Sequence, residues 1–241
     1  MSDIERLREI IEESESIVFF GGAGVSTESG IPDFRGTGGL FNDYEEDDMT
    51  PEEKLHISYL RTNPEGFFRY YKSNMIYRDA TPNDAHLFLA RLEAEGKLRA
   101  VVTQNIDGLH TVAGSKCVAE LHGSIHRNYC MKCGKSYTLD YILEGELVPR
   151  CEDCGGIVRP DVTLYGEGLP QDAWFLAEEA IYEAQTLIVA GTSLRVYPAA
   201  SLVEGFQGEH LIIINRDPTH MDAEAEIVIN EPIAKTLAKL M

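Results

Sequence analysis

Residues 19–36, FFGGAGVSTESGIPDFRG, decide the fold of this chain. Apolar strand residues run into the glycines at 22 and 24, and such a turn lets the backbone approach a pyrophosphate. A short helix over 25–29 is expected next, with its amide dipoles directed at the phosphates. Pro32 ends this helix early, and the third glycine of the usual dinucleotide fingerprint is missing. The stretch predicts a nucleotide-binding turn, covered by a loop at 33–36 that carries an acid, an aromatic ring and a guanidinium group.

Two residues of that loop also have a simpler interpretation. Phe34, taken singly, suits packing beneath the loop, and Arg35 suits an ion pair with a surface acid. The alternative, which their shared placement on a loop after a nucleotide-binding turn leaves open, is that both enclose the reactive end of a ligand.

The composition describes an ordinary soluble globular protein. Its 241 residues are 44% hydrophobic, which suffices for one large domain or for one domain with a smaller insertion. The net charge of −19 repels nucleic-acid phosphates and anionic lipids, so no direct nucleic-acid binding and no membrane binding are expected. Cationic partners such as lysine-rich peptides are favoured, unless the acidity serves solubility alone. The charged, amphipathic N-terminus and the lack of a long apolar run predict a cytoplasmic protein.

Strand patterns and helix patterns alternate along most of the chain. Amphipathic helix patterns separate five short β-rich runs: SIVFF, RAVVTQN, TLIVAGTSL, HLIIIN and EIVIN. This alternation predicts an α/β fold with a parallel sheet covered by helices. Two segments interrupt it, one at 37–75 and a cysteine-bearing one at 124–165, and both are expected to belong to a smaller lobe.

Four cysteines give the clearest spacing signal. Cys130-x-x-Cys133 and Cys151-x-x-Cys154 are separated by a loop of zinc-ribbon length, and each pair is followed by glycine. Four thiolates predict a closed, structural zinc site. Two disulfides are disfavoured in a cytoplasmic chain, and a redox site would need only one pair beside a strand-helix junction. Cys117 stands alone and is interpreted as a small buried hydrophobic residue.

A second group of polar residues follows a predicted strand. In TQNIDGLH, at 103–110, the side chains of Gln104, Asn105 and Asp107 suit ribose hydroxyls and a carboxamide. They lie where the strand AVV ends, which is the edge at which parallel sheets bind ligands.

A histidine in the next motif is a candidate general base. His122, in LHGS, ends another short β-like run, and an imidazole titrates near neutrality. His110 and His126 are nearby competitors, and on position alone each of the three suits a structural role better than a catalytic one.

The ordered motifs resemble those of the sirtuin family of NAD-dependent protein deacylases. The matching segments span nearly the whole chain: GAGVSTESGIPDFRG, TQNIDGLH, LHGS, the two C-x-x-C pairs, RPDVTLYGEGLP, GTSLRVYPAA and IIINRDPT. The resemblance implies a Rossmann-like parallel sheet with helices on both faces, plus a smaller zinc-ribbon and helical lobe. The expected Rossmann-like NAD-binding domain comprises 1–36, 76–123 and 166–241. The helical insertion 37–75 and the zinc-binding insertion 124–165 would form the small lobe.

The resemblance also implies roles for residues. His122 and Asn105 would be catalytic, with His122 as general base and Asn105 beside the nicotinamide ribose. Ile106 and Asp107 would grip the nicotinamide carboxamide, and Ile233 would reach the adenine end. The implied NAD-binding residues are Gly22, Ala23, Gly24, Ser26, Thr27, Phe34, Arg35, Gln104, Asn105, Ile106, Asp107, His122, Gly191, Thr192, Ser193, Asn215 and Ile233.

The implied partners are acetyl-lysine-containing proteins or peptides. Such a peptide would add as an extended strand between VTLYGEG and SLRVYP, with contacts from Val162, Gly166, Glu167 and Val196. Sirtuins that prefer acidic acyl groups carry Tyr-x-x-Arg, whereas Tyr71 is followed here by Asn74. We therefore expect an acetyl or another uncharged acyl group.

The implied reaction consumes NAD, and its products are free lysine, nicotinamide and acetylated ADP-ribose. One alternative is a protein ADP-ribosyltransferase that uses the same cleft. The other is a non-catalytic, NAD-responsive binding module, against which the presence of both His122 and Asn105 argues.

Overall fold

The computed structural model describes residues 2–33 and 49–241. The strands in this part of the chain are β1 (Ile17–Gly21), β2 (Leu98–Thr103), β3 (Val118–Glu120), β4 (Gly123–Cys130), β5 (Ser136–Tyr137), β6 (Val158–Val162), β7 (Thr186–Ala190), β8 (His210–Ile214) and β9 (Ile227–Ile229). The α-helices are α1 (Asp3–Glu13), α2 (Pro51–Lys54), α3 (Ile57–Thr62), α4 (Pro64–Asn74), α5 (Asp84–Ala94), α6 (Leu109–Ala113), α7 (Leu139–Glu144), α8 (Gln171–Tyr182), α9 (Ala199–Glu204) and α10 (Ile233–Ala238).

Six strands form one parallel sheet in the order β3-β2-β1-β7-β8-β9. The chain winds outward from β1 through β2 and β3, and later outward in the other direction through β7, β8 and β9. β1 and β7 are direct neighbours, with Phe19 opposite Ile188. This reversal of direction is the topological switch point, where parallel sheets leave a ligand crevice beyond the carboxyl ends of the strands.

The sheet is covered by helices on both faces, as predicted. Every residue of β1 and of β7 is buried, which is why these strands consist almost entirely of apolar residues. Helices α1, α5 and α10 pack on one face, through residues such as Leu7, Phe88 and Leu237. Helices α8 and α9 pack on the other, through Ile181 and Val203. None of the described helices is both long and apolar enough to span a bilayer.

A smaller sheet and a cluster of short helices make a third core. Strand β4 pairs antiparallel with β5 and β6. Aromatic residues of α4, including Phe67 and Tyr71, pack with Ile142 of α7 and Val158 of β6. This core draws on the two segments that interrupt the alternating pattern, and the domain boundaries at 36/37, 75/76, 123/124 and 165/166 remain our proposal.

Candidate active site

A cleft of about 530 Å³ lies beyond the carboxyl ends of β1, β2, β7 and β8, between the large sheet and residues of the third core. Phe34 and Arg35 lie outside the described residues. All the other predicted NAD-binding and peptide-binding residues line this one cleft: Gly22, Ala23, Gly24, Ser26, Thr27, Gln104, Asn105, Ile106, Asp107, His122, Val162, Gly166, Glu167, Gly191, Thr192, Ser193, Val196, Asn215 and Ile233.

The glycine turn after β1 lies against the end of β7. The Gly24 N–H donates to the Gly191 carbonyl oxygen at 2.9 Å. A Cβ on Gly24 would lie 2.7 Å from the Gly191 Cα, and Gly191 itself has φ +60°. Two backbones can approach this closely only when both residues lack a side chain.

The helix predicted over 25–29 is instead a pair of one-turn 3-10 segments, Ala23–Val25 and Thr27–Ser29. The amides of Val25 and Ser26 already donate to carbonyls within the turn, and Gly30 ends the second segment with φ +85°. The expected helix dipole is therefore reduced to the partial charges of single turns, because a macrodipole grows from aligned, consecutive peptide units.

Three polar side chains form a network beside the glycine turn. Asn105 Nδ2 donates to Ser26 Oγ at 3.1 Å, and the Ser26 hydroxyl donates to Asp107 Oδ2 at 2.7 Å. The other oxygen of Asp107 accepts the Leu109 N–H at 2.9 Å, which caps the turn before α6. The network fixes the relative positions of the β1 turn and the segment after β2.

A second contact joins the ends of β2 and β7. Gln104 Nε2 donates to Thr192 Oγ1 at 3.1 Å, and the same Thr192 oxygen accepts the Leu194 N–H at 3.2 Å. The residues expected to hold the two ends of the dinucleotide are therefore linked to one another directly.

His122 presents a basic nitrogen in the cleft. The Gln104 carbonyl oxygen lies 2.9 Å from His122 Nδ1. A carbonyl can only accept a hydrogen bond, so Nδ1 carries the proton and Nε2 carries the lone pair. Burial lowers the pKa of His122 below its ordinary value, and the hydrogen bond to Gln104 offsets only part of this shift. The ring is thus neutral near pH 7 and able to accept a proton.

The competing histidines are placed differently. His110 is buried, and neither of its ring nitrogens has a hydrogen-bond partner among the described residues. His126 is exposed, and its Nε2 donates to the Asp107 carbonyl oxygen at 3.0 Å. Neither ring lines the cleft, so the geometry favours His122 as the base.

The predicted peptide-binding residues come from two stretches of the cleft lining. Val162, Gly166 and Glu167 form one side, at and after the end of β6, and Val196 belongs to the other, after β7. The first side is joined to the segment before α3, since the Tyr165 N–H donates to the Leu55 carbonyl at 3.1 Å.

Tyr71 and Asn74 of α4 also line the cleft. The Asn74 amide donates within its own helix, to the Tyr70 carbonyl at 3.0 Å. Arg69 and Lys72 do not line the cleft, and the Lys72 ammonium donates to the Glu146 carbonyl at 3.0 Å. Arg69 and Lys72 are therefore not part of the cleft lining beside Tyr71, and the preference for an uncharged acyl group stays a prediction.

The four C-x-x-C cysteines converge at one point away from the cleft. Their sulfur atoms all lie within 4.8 Å of one another, with Cys130 and Cys154 separated by 3.4 Å and Cys133 and Cys151 by 3.6 Å. Thiolates bound tetrahedrally to zinc at about 2.3 Å lie about 3.8 Å apart, so this cluster fits a structural zinc ion. Cys117 is half-buried and lies outside the cluster.

Sequence reasoning missed several residues that hold the site together. Asn83 Nδ2 donates to the Val25 carbonyl at 2.8 Å and to Ser29 Oγ at 2.9 Å, and so ties the glycine turn to the start of α5. Arg159, which donates to the cleft-lining Glu167, was also missed. The only sequence signal for Asn83 is its N-cap position before a helix pattern, which says nothing of a partner more than fifty residues away.

Fold and site together define a nucleotide-binding α/β protein with a four-thiolate metal site. A family model described as the Sir2 family matches residues 22–198. The chain belongs to this family, which confirms the sirtuin resemblance.

Individual proteins of known name are similar over the full length. A protein of Clostridium acetobutylicum named NAD-dependent protein deacetylase is 54% identical over 238 residues, covering 98% of this chain and 97% of that protein. A protein of Clostridium perfringens with the same name is 54% identical over 239 residues, covering 99% and 98%. A solved structure of Sir2 with a p53 peptide and NAD+ has a TM-score of 0.86 and 40% identity, covering 100% and 98%. A Sir2 variant with a deacetylated p53 peptide and 3'-O-acetyl ADP ribose has a TM-score of 0.90 and 39% identity, covering 99% and 97%.

Proposed function

We propose that this protein is an NAD-dependent protein lysine deacetylase. It transfers the acetyl group of acetyl-lysine to ADP-ribose and releases nicotinamide. The observation that carries the proposal is the cleft in which the neutral His122 base lies with the Ser26–Asn105–Asp107 network. Relatives 54% identical over nearly the whole chain bear the name of this activity.

The cofactor is NAD, used as a co-substrate. Bound NAD supplies the ribose carbon that accepts the acyl oxygen as nicotinamide leaves. The glycine turn, Thr192, Ser193 and Asn215 hold the dinucleotide, and Ile233 reaches its adenine end. Gln104 and Asn105, which follow β2 and line the same cleft, hold the nicotinamide ribose.

Three residues carry the chemistry at the nicotinamide end. Asp107 and Ile106 orient the carboxamide. His122 accepts a proton at Nε2 from a ribose hydroxyl, which prepares that hydroxyl to take over the acyl group. The Gln104 carbonyl holds the imidazole in the tautomer that this step requires, since it fixes the proton on Nδ1.

The substrate is an acetyl-lysine peptide or protein, and other uncharged acyl groups are also removed. The peptide pairs as an extended strand between the Val162–Glu167 side of the cleft and Val196. Main-chain pairing of this kind gives affinity with little selectivity for sequence.

The zinc ion is structural and is held by Cys130, Cys133, Cys151 and Cys154, none of which lines the cleft. We also propose a cytoplasmic location, since a reducing compartment keeps four metal-binding thiolates from forming disulfides.

An acetylated peptide incubated with NAD tests the proposal. We expect nicotinamide release that depends on the peptide, together with loss of the acetyl group and formation of acetylated ADP-ribose, measured by mass spectrometry. A peptide that gains ADP-ribose would instead identify an ADP-ribosyltransferase. NAD binding without any turnover would identify a binding module.

A further inference from the structure

A part-buried ion pair lies at the peptide-binding side of the cleft, which Glu167 itself lines. The side chain of Arg159, on β6, is 4% exposed, and that of Glu167 is 26% exposed. Arg159 Nη1 donates to Glu167 Oε1 at 2.6 Å, and Nη2 donates to Oε2 at 2.9 Å. The two groups therefore form a bidentate fork, which fixes orientation as well as distance.

The remaining hydrogen bonds of this pair go to the backbone of residues 160–164. Arg159 Nη2 also donates to the Val162 carbonyl at 2.7 Å, and its Nε donates to the Pro160 carbonyl at 3.0 Å. Glu167 Oε2 also accepts the Leu164 N–H at 3.0 Å. The two side chains thus close a loop that holds the segment 162–167 at its start, middle and end.

We propose that Arg159 and Glu167 are positioning residues that hold the segment 162–167 in the shape to which the acyl-lysine peptide pairs. This inference rests on the proposed function, since it assigns a role toward the same substrate. A preordered strand partner loses less conformational entropy on binding, so it binds the peptide more tightly.

The charge state of Glu167 suits this role. Burial alone would raise its pKa, but the hydrogen bonds from Arg159 and from the Leu164 N–H bring the pKa below its ordinary value. The carboxylate stays ionised near neutrality, and both of its oxygens are used within the protein. It is therefore not free to recognise a charge on the peptide.

Stability alone does not account for such a pair. Replacing a buried ion pair by apolar residues is often neutral or stabilising, because desolvation offsets the Coulomb attraction. The hydrogen bonds to Val162, Pro160 and Leu164 give this pair a conformational role that apolar residues could not reproduce.

The test compares Glu167→Gln with Asp161→Asn. Glutamine keeps the shape of Glu167 but removes the charge and one pair of acceptor lone pairs. Asp161 lies on the same strand as Arg159 and forms an exposed pair with Arg127 at 3.0 Å, outside the cleft, so it is the matched control. Calorimetric titration with an acetylated peptide gives Kd for each full-length variant, and a separate titration gives Kd for NAD.

We expect Glu167→Gln to weaken peptide binding by about tenfold. In this variant the segment 162–167 must become ordered when the peptide binds, which costs conformational entropy. Its Kd for NAD and its zinc content should stay at the wild-type values, and Asp161→Asn should match the wild type in all three. Equal losses in both variants, or a loss of NAD affinity equal to the loss of peptide affinity, would mean general destabilisation and would overturn the proposal.

Two further measurements separate the alternatives. Hydrogen exchange of the free Glu167→Gln variant should be faster at residues 162–167 than in the wild type, whereas unchanged exchange would contradict the role. A peptide without charged residues should show the same loss of affinity. If the loss vanished with that peptide, Glu167 would recognise peptide charge instead. Absence of deacetylation in the wild type would refute the proposed function, while the exchange measurement would still report on the ion pair.

Discussion

At the scale of single residues, His122 is the group on which the proposed reaction depends most. We expect His122→Ala to lower deacetylation by about a hundredfold or more, the usual contribution of a general base. The affinity for NAD should change only a few-fold, because the proton transfer follows binding of the cofactor. Steady-state rates and NAD titration on the same preparation measure both quantities.

His210→Ala is the matched control for that experiment. His210 begins β8, at the end of the strand opposite the cleft, and pairs with Glu226 at 2.6 Å. The deacetylation activity of His210→Ala should stay close to that of the wild type. Unfolding of His122→Ala, or complete loss of its NAD binding, would indicate a structural histidine.

Asp107 has two roles that one substitution separates. In Asp107→Asn the side-chain oxygen can still accept the Leu109 N–H, so the turn cap is kept. The amide that replaces the other oxygen cannot accept the Ser26 hydroxyl or hold a carboxamide as a carboxylate does. A hydrogen bond to a charged group contributes about 1.5 to 3 kcal/mol, so nicotinamide cleavage should fall by roughly ten- to a hundredfold.

The melting temperature and the nicotinamide inhibition constant decide the outcome for this variant. We expect inhibition by free nicotinamide to weaken while the melting temperature changes little. A lower melting temperature with an unchanged inhibition constant would show that Asp107 stabilises the fold through its hydrogen bond with Ser26 and does not hold the carboxamide.

Individual site residues were predictable where one motif carries one role, as for His122 in LHGS or the glycines after β1. The partners of those residues were not. Ser26 and Asp107 are 81 positions apart, and Arg159 bonds a glutamate through a fork that depends on the path of the backbone between them. Spacing in a sequence reports local geometry, whereas these contacts depend on the tertiary packing of distant segments.

At the scale of helices and strands, two buried histidines join α5 to α6. The ring centroids of His86 and His110 are 4.6 Å apart. Burial lowers the pKa of His86 to about 4, with a smaller opposing effect from the charge of Asp107. Burial, together with the charge of His86, lowers the pKa of His110 to about 3. Both rings are therefore neutral in the folded protein over the range in which they titrate in the unfolded chain.

This pair predicts a loss of stability at mildly acidic pH. Below the ordinary pKa of 6.5, the unfolded chain binds protons that the folded protein excludes, so the free energy of unfolding falls as pH falls. The loss approaches about 1.4 kcal/mol per pH unit for each histidine until the folded-state pKa is reached. In His110→Phe, about a third to a half of the decrease between pH 6.5 and 5 should disappear, because His86 and His122, whose pKa burial also lowers, remain.

Urea unfolding of wild type and His110→Phe across that pH range checks the expectation. The two proteins are compared by the slope of the free energy of unfolding against pH. A constant change in stability caused by the phenylalanine does not affect that slope. Identical slopes would show that His110 is not the source of the pH dependence. The glutamates whose pKa is lowered titrate below their ordinary value of 4.5 and so contribute little in this window.

The long helices α5 and α8 were predictable, and short helices such as α3 were not. The patterns NDAHLFLARLEAEG and PQDAWFLAEEAIYEA correspond to α5 and α8, because each repeats its apolar residues over several turns. Helices such as α3, with six residues, are too short to show a period. Capping hydrogen bonds define the ends of these short helices instead. His56 caps the start of α3, where its Nδ1 accepts the Ser58 N–H at 3.1 Å.

At the scale of the whole molecule, the three cores divide the protein into parts with different sources of stability. Two cores cover the faces of the parallel sheet and consist of apolar side chains. The third contains Cys130 and Cys151 and lies beside the small antiparallel sheet. A cluster of four thiolates contributes folding energy only when it holds its metal, because the free thiolates repel one another.

Cys130→Ser should therefore unfold the molecule unevenly. Cys130 ends β4 and pairs with Val158 of β6, so loss of this ligand removes the metal and loosens the strands on which the peptide-binding side of the cleft depends. We expect zinc content and melting temperature to fall together, with faster hydrogen exchange in β4 and β6. The buried strands β1, β7 and β8 should keep their protection, since their apolar cores do not involve the metal.

Cys117→Ser is the control for Cys130→Ser, because Cys117 is a half-buried thiol outside the metal cluster. Zinc content, measured by atomic emission, should be unchanged in the control. If Cys130→Ser stayed folded and active without zinc, the metal would have no structural role. If β1, β7 and β8 lost protection to the same extent as β4 and β6, the cores would unfold as one unit, and stability could not be divided between the sheet and the zinc ribbon.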